Sequence, residues 1–188
     1  MKSILRPFAL FMLFLMPVSA AWADSYSEAI AVFKGAGESG EFFKKAYGYA
    51  VFPSIGKGGI GIGAAHGTGH VYVGGKMVGE SKMNQVSIGL QLGGQVYSQI
   101  IFFEDKRSFD EFASGSFEFA ADASAVAITA GASATASTGG SSAGASGGQH
   151  DATTAGGYHK GMAIFTVAKG GLMYQAAVAG QKYSYKAK

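Results

Sequence analysis

The chain contains no cysteine in its 188 residues. It can therefore form neither a disulfide nor a thiolate metal site. It also lacks the cysteine that would carry the acyl chains of a bacterial lipoprotein after the amino-terminal apolar run. The stability of the fold is expected to come from side-chain packing and from the hydrogen bonds of a sheet.

The amino-terminal apolar run is too short to span a bilayer. It covers residues 8–16, whereas a membrane-spanning helix needs about 20 residues. Lys2 and Arg6 precede the run, and the small-x-small sequence AWA follows it at positions 21–23. These features are typical of a signal peptide. They predict that residues 1–23 are removed by cleavage after Ala23 and that the product is periplasmic or secreted.

Little net charge remains after this cleavage. Residues 1–23 hold two of the fifteen basic residues and none of the twelve acidic ones, which leaves residues 24–188 with a formal net charge of +1. This balance does not favour a nucleic-acid partner. The remaining 165 residues have the length of one ordinary domain.

Proline is scarce at three residues, but the thirty glycines are about twice the usual share. Residues 131–157 consist mostly of glycine, alanine, serine and threonine, and they predict a flexible loop within the domain. Two matches to the G-x-S-x-G nucleophile pattern lie in this loop, at 140–144 and 144–148. That pattern needs a strand before the serine and a helix after it, which a loop does not provide. We therefore predict a protein without enzymatic activity.

Short helices are predicted from apolar spacing and from a capping residue. An apolar stripe at helical spacing is formed by Tyr26, Ala29, Ile30 and Phe33. This leading helix covers the edge or end of a sheet in one interpretation and docks on a membrane surface in the other. Asp105 is a suitable cap for an inserted helix that runs to Phe112.

The period of the sequence changes to two after Gly48, which predicts an antiparallel sheet. The clearest alternation covers residues 85–99, where the apolar positions are Val86, Ile88, Leu90, Leu92 and Val96. We predict that this apolar side faces the core and that the side with glutamine, serine and tyrosine faces outwards. Further strands are predicted at 49–55, 58–65, 71–74, 117–130, 158–168, 172–178 and 182–185. Glycine pairs predict turns at 67–69 and at 74–75.

Several glycine-rich motifs occur in a defined order along the chain. They are Ala50-Val51-Phe52-Pro53-Ser54, Lys57-Gly58-Gly59, Gly67-Thr68-Gly69, the segment from Val86 to Gln95, Asp122-Ala123-Ser124, and the closing pair Lys169-Gly170-Gly171-Leu172 and Gly180-Gln181-Lys182-Tyr183-Ser184-Tyr185. In this order the motifs resemble the SYLF domain family, and the closing pair is similar to its bacterial exported branch. The resemblance covers nearly the whole of residues 24–188.

This resemblance implies a mainly β fold with short helices, of the α+β class. The sheet would be a compact, curled or barrel-like antiparallel one, with a leading amphipathic helix and one inserted helix. The resemblance also implies lipid binding, since eukaryotic members bind phosphoinositides and some bind actin. An exported bacterial protein meets neither in its own compartment. We therefore expect phospholipid or another anionic amphiphile as the ligand, in peripheral contact with a membrane, and no cofactor.

The candidate lipid-binding residues are Lys57, Gly58, Gly59, Lys169, Gly170, Gly171, Ile30 and Phe33. Each lysine precedes two glycines, whose bare backbone amides could hold an anionic headgroup together with the ammonium. In the other interpretation each Lys-Gly-Gly is simply an exposed turn. The two apolar residues of the leading helix would supply the anchor in the membrane.

A structural alternative is an integral outer-membrane or envelope β-barrel protein. Alternating strands with an uncharged face of glutamine, serine and glycine would also suit a lumen. The charged run at residues 104–107, which leads into the inserted helix, argues against this alternative.

Cleavage after Ala23 makes a spectroscopic prediction. Trp22 is the only tryptophan of the chain and lies within the predicted signal peptide. The purified exported protein is therefore expected to show tyrosine emission alone. Tryptophan fluorescence from periplasmic material would show that cleavage occurs upstream or that the segment is retained.

Overall fold

The computed structural model describes residues 19–119, 125–128, 157–170 and 180–188. The helices are α1 (Ser19–Gly35), α2 (Gly37–Gly40), α3 (Phe42–Lys45) and α4 (Lys106–Phe112), and the strands are β1 (Gly48–Val73), β2 (Lys76–Phe103), β3 (Phe117–Glu118), β4 (Val126–Ile128), β5 (Met162–Gly170) and β6 (Gln181–Ala187). The mainly β fold with short helices is confirmed. The predicted loop at 131–157, apart from Gly157, and the predicted strand at 172–178 lie outside the described residues.

One long strand organises the sheet. β2 pairs along one edge with β1 in an antiparallel hairpin. Gly74 and Gly75 form the turn with φ angles of 56° and 77°, so the turn predicted there is confirmed. The other edge of β2 pairs with β6 over residues 79–85 and with β5 over residues 96–103. β3 extends the sheet beyond β6, and β4 extends it beyond β5 in a parallel pairing, so the described residues form a curled sheet of six strands.

β1 folds back so that its two halves touch. A Cβ atom added at Gly69 would lie 2.6 Å from the Phe52 ring and 2.8 Å from the Val51 carbonyl oxygen. One added at Gly67 would lie 3.1 Å from the Ser54 carbonyl oxygen. Only glycine allows backbones to approach so closely. The prediction of a turn at 67–69 is therefore wrong, because these residues lie inside a continuous strand and their glycines serve close packing.

Both faces of the sheet are covered where β1 begins and β2 ends. The inner cluster lies within the curl and consists of Ala50, Phe52, Ile55, Ala65, Val71, Met83, Tyr97, Ile101, Phe103, Phe112, Phe119, Met162, Ile164 and Tyr183. The outer cluster consists of Tyr26, Ala29, Phe33, Phe42, Val51, Ile100, Phe102, Ala163, Phe165 and Val167. Successive residues of β1, β2 and β5 alternate between the two clusters, as the pleat of a strand requires.

The leading helix α1 packs on the outer face of the sheet. Three residues of its predicted stripe, Tyr26, Ala29 and Phe33, are buried there. The side chain of Ser39, from α2, donates to the carbonyl oxygen of Phe33 at 2.6 Å and holds the end of α1 against the next turn. The helix thus covers the sheet, as the first interpretation has it, but it lies over a face and not over the predicted edge or end.

The inserted helix α4 begins at its predicted cap. The Asp105 carboxylate accepts the backbone N–H of Ser108 at 2.8 Å, and the Ser108 hydroxyl oxygen accepts the backbone N–H of Asp105 at 3.3 Å. This reciprocal pair satisfies two backbone groups that a helix otherwise leaves open. Phe112 at the end of the helix is fully buried in the inner cluster. The prediction of a capped helix ending at Phe112 is confirmed.

The contact between the two halves of β1 predicts the effect of a single methyl group. Gly69→Ala is expected to destabilise the domain by about 1–3 kcal/mol, because the new Cβ overlaps backbone and ring atoms. Gly56→Ala in the same strand is the matched control, since a Cβ atom there meets nothing within 4 Å. The control should change stability by less than about 0.5 kcal/mol. Urea unfolding followed by circular dichroism measures both, and equal effects would contradict the close approach.

Candidate functional site

The two sides of β2 face in directions opposite to the prediction. Val86 and Val96 belong to the side expected in the core, yet 73% and 40% of their surfaces are exposed. Gln85 and Gln99 belong to the side expected in solvent, yet only 6% and 0% of their surfaces are exposed. The predicted orientation is therefore wrong at these positions. The structure does not describe the side chains of residues 87–93.

Hydrogen bonds between polar side chains make the burial of this side possible. Gln99 Nε2 donates to Gln181 Oε1 at 3.0 Å and to the Tyr183 hydroxyl at 2.7 Å. The Tyr183 hydroxyl donates to Gln181 Oε1 at 2.6 Å, and Gln181 Nε2 donates to the Tyr97 hydroxyl at 3.1 Å. We call these four residues the inner polar cluster. Because buried amides with partners cost little, the glutamine side of β2 can turn inwards.

The reversal leaves apolar side chains on the outside of the hairpin. We call Ile62, Val86 and Val96 the outer apolar face; Ile62 is 66% exposed, and Val96 lies ten residues further along β2 than Val86. The register pairs Ala64 with Val86 and Ile62 with Ile88, which makes Ile62 and Val86 diagonal neighbours, about 7–8 Å apart. Large apolar side chains exposed next to one another mark a contact surface for a lipid or a partner protein.

The two candidate lysines lie close to one row of the sheet. Gly56 on β1 and Gly170 on β5 both pair with Val96 on β2. Both strands run antiparallel to β2 and therefore parallel to each other. Lys57 follows Gly56 and Lys169 precedes Gly170, so the lysines are displaced from this row in opposite directions and are two strand spacings, about 10 Å, apart across the sheet. The structure therefore places both predicted lysines near Val96 but at different levels of the sheet.

The first Lys-Gly-Gly segment and the described residues of the second lie in strands and not in the exposed turns of the alternative interpretation. The first one, Lys57 to Gly59, lies within β1. Its lysine is half-buried, and burial lowers the pKa of the ammonium, whereas Gly58 beside it is exposed. The second segment ends β5 with an exposed Lys169 followed by Gly170. Gly171 lies outside the described residues.

A tight bend at Gly59 joins the lysines to the outer apolar face. Gly59 has a φ of 155°, and a Cβ atom there would lie 2.6 Å from the Gly63 Cα. Neither this conformation nor this contact suits another residue. The bend places the strand segment that carries Lys57 next to the one that carries Ile62. Lys57 and Ile62 thus lie in one region of the hairpin, with Lys57 at an inner position of β1 and Ile62 on the outer side.

The two predicted anchor residues of α1 lie elsewhere. Phe33 is fully buried in the outer cluster, and Ile30 is half-buried and packs against the same cluster. In this structure Phe33 therefore serves the core, and the pair is not brought together with the lysines. Their role in lipid binding stays a prediction. Within the described parts of the chain, no helix is long and apolar enough to cross a bilayer.

Two histidines of β1 have local partners. His66 Nδ1 lies 2.8 Å from Asn84 Oδ1 on β2. The ring of His70 stacks on Tyr26 of α1, with centroids 3.6 Å apart and planes at 2°. Burial lowers the pKa of His70. The stack joins α1 to the sheet, so at least His70 has a packing role.

Comparison with known proteins places these features in a family context. The Ysc84 family model, described as "Las17-binding protein actin regulator", matches residues 84–187. Beta cell expansion factor A of Aeromonas veronii is 36% identical over 93 residues, which cover 45% of this chain and 33% of that protein. The matching region thus spans about a third of that relative's length. The family match includes most of β2 and the whole of β5 and β6, and with them the inner polar cluster.

The buried tyrosines of the inner polar cluster predict a loss of stability between pH 10 and pH 12. Burial raises the pKa of Tyr97 to about 12 and that of Tyr183 well above 10. The unfolded chain starts to lose these protons near pH 10, so the stabilisation is complete below pH 10 and is lost as the pH rises through the folded pKa values. Tyr97→Phe should make this dependence shallower. Urea unfolding from pH 9 to pH 12 measures it, and an unchanged dependence would contradict the buried, protonated cluster.

Proposed function

The chain belongs to the SYLF (Ysc84) family, and we propose that it is an exported, non-enzymatic module that binds the surface of a phospholipid membrane. The observations that carry this proposal are the outer apolar face and the two lysines near Val96, of which Lys57 lies at a half-buried inner position of β1. A membrane surface offers both of the environments that such a region needs. Acyl chains take apolar side chains, and anionic headgroups take ammonium groups.

The expected binding free energies are those of a peripheral membrane contact. Full burial of a valine or isoleucine side chain contributes roughly 1.5–3 kcal/mol. Each lysine near an anionic surface adds on the order of 1 kcal/mol. Ile62 and Val86 with Lys57 and Lys169 would together give a reversible attachment. The apolar contribution should persist at high salt, and the lysine contribution should weaken, because salt screens it.

The packing of α1 supports the export part of the proposal. Its buried residues Tyr26, Ala29 and Phe33 all follow Ala23 in sequence. Removal of residues 1–23 would therefore leave the contacts between the helix and the sheet intact. The shortened helix would still stack on His70 through Tyr26.

The same helix favours peripheral attachment over an integral envelope protein. An integral sheet would need its outer side in contact with lipid. Over the outer cluster that side is covered by protein, since α1 and α3 pack on Val51, Phe102 and Phe165. Of the described large apolar residues on the outer side of β1 and β2, Ile62, Val86 and Val96 are the well-exposed ones.

Vesicle binding tests the outer apolar face. The double variant Ile62→Ser, Val86→Ser is expected to bind phosphatidylglycerol vesicles at least tenfold more weakly, because two apolar anchors are lost. Val32→Ser is the matched control, since Val32 is exposed on α1 and is not part of the outer apolar face. Co-sedimentation measures all three proteins after circular dichroism has verified folding. A loss in the control and not in the double variant would assign the contact to α1 instead.

The lysines form the second arm of the same experiment. Lys57→Ala, Lys169→Ala is expected to weaken binding to phosphatidylglycerol about tenfold to thirtyfold at low salt. Binding to phosphatidylcholine vesicles should change little. Lys44→Ala, Lys45→Ala on α3 removes the same charge and is the control. An equal loss of vesicle affinity in both double variants would show that Lys57 and Lys169 contribute only through the net charge of the protein and do not form a specific site.

A further inference from the structure

We propose that the inside of the curled sheet contains a binding site for an uncharged hydroxyl group, formed by Gln99 and Thr166. This inference goes beyond membrane attachment and does not depend on it. The two residues lie opposite each other on β2 and β5 and on the inner side of the sheet. Their exposed fractions are 0% and 1%.

Each residue of this pair has a buried polar atom without a partner. Gln99 Oε1 and Thr166 Oγ1 accept and donate no hydrogen bond within the described structure. Both side chains are buried, and more than nine buried polar groups in ten normally have a partner. An unsatisfied buried group costs about 1–3 kcal/mol. A bound molecule that supplies the missing partners would recover this free energy.

Reversing the amide orientations still leaves one polar atom of Gln99 without a hydrogen-bond partner. The oxygen and nitrogen of a glutamine amide are assigned from its hydrogen bonds. If Gln99 and Gln181 are both reversed, Gln181 Nε2 donates to Gln99 Oε1, and the Tyr97 hydroxyl donates to Gln181 Oε1. Gln99 Nε2 then takes the unpartnered position. In either arrangement one atom of the Gln99 amide lacks a partner.

The surroundings select the chemistry of the ligand. The buried members of the inner cluster are all apolar or aromatic, and the polar cluster adds only amides and hydroxyls. A charged ligand would lose its hydration here without gaining a counter-ion. A hydroxyl group is able to donate to Gln99 Oε1 and to accept from Thr166 Oγ1 at the same time. The matching chemistry is an alcohol, either a free polyol or the neutral glycerol head of an amphiphile.

The inner side of the sheet opens towards Lys57. Along β1 the inner positions pass from the fully buried Ile55 to the half-buried Lys57. Along β2 they pass from the buried Gln99 and Tyr97 to the half-buried Gln95, which pairs with Lys57. The lowered pKa of the Lys57 ammonium agrees with a sheltered position. A ligand could therefore reach the site from the end of the curl that carries the lysines.

Calorimetry with two probes tests the site. The folded exported protein is titrated with glycerol and with 1-monooleoylglycerol, and methyl oleate serves as the control that lacks a hydroxyl. We expect one-to-one binding of at least one hydroxyl probe and none of methyl oleate. Binding by the glyceride alone would identify a lipid head as the ligand, and binding by glycerol a free polyol.

Thr166→Val is expected to weaken this binding about tenfold, because it removes one hydrogen-bonding partner while keeping the shape of the side chain. Thr68→Val, at an exposed threonine of β1, is the matched control and should bind normally. Thr166→Val should keep its affinity for phosphatidylglycerol vesicles, which separates this site from the outer apolar face. No binding by either probe, or equal binding by Thr166→Val, would overturn the proposal.

Discussion

Backbone hydrogen bonding along both edges of β2 is the interaction on which the rest of the structure depends. β1 pairs with one edge, and β6 and β5 divide the other edge between them. A pair of strands this long accumulates twist, and the register shifts near residues 52–55 and 60–62 let the hairpin bend. The bend brings Gly67 and Gly69 against the first half of β1 and so closes the curl. An inside and an outside of the sheet exist only because of this closure.

The two sides then acquire different roles. On the inside, aromatic rings pack around glutamines that bond to one another, and Gln99 and Thr166 keep unpartnered atoms. On the outside, α1–α3 cover one part of the sheet, while Ile62 and Val86 stay exposed in another part. The proposed membrane contact uses the outer apolar face together with Lys57 and Lys169, and the proposed hydroxyl site uses the buried Gln99 and Thr166 on the inner side. Because the two sites share no residue, single substitutions can separate them.

The sequence predicted those elements whose signals are local. Asp105 caps α4, and the apolar stripe that contains Phe33 packs on the sheet, because capping and helical spacing depend on a few neighbouring residues.

Strand alternation showed which residues share a side of β2 but not which side points inwards. Buried apolar side chains were the natural assumption, and the bonded Gln99 reverses it. Gly67 and Gly69 looked like a turn because a turn and a close backbone contact select the same residue. The placement of Lys57 and Lys169 on two strands that flank Val96 depends on the register of three strands, which no local pattern contains.

The glutamine side of β2 faces inwards and the valine side faces outwards at the described positions, and both proposed sites depend on this orientation. Single cysteines test it cleanly, since the chain has none of its own. Gln85 and Val86 are neighbours with exposed fractions of 6% and 73%. Labelling with a hydrophilic maleimide should be fast for Val86→Cys, and slow for Gln85→Cys until urea unfolds the protein. Fast labelling at position 85 together with slow labelling at position 86, in folded protein, would contradict this orientation of β2.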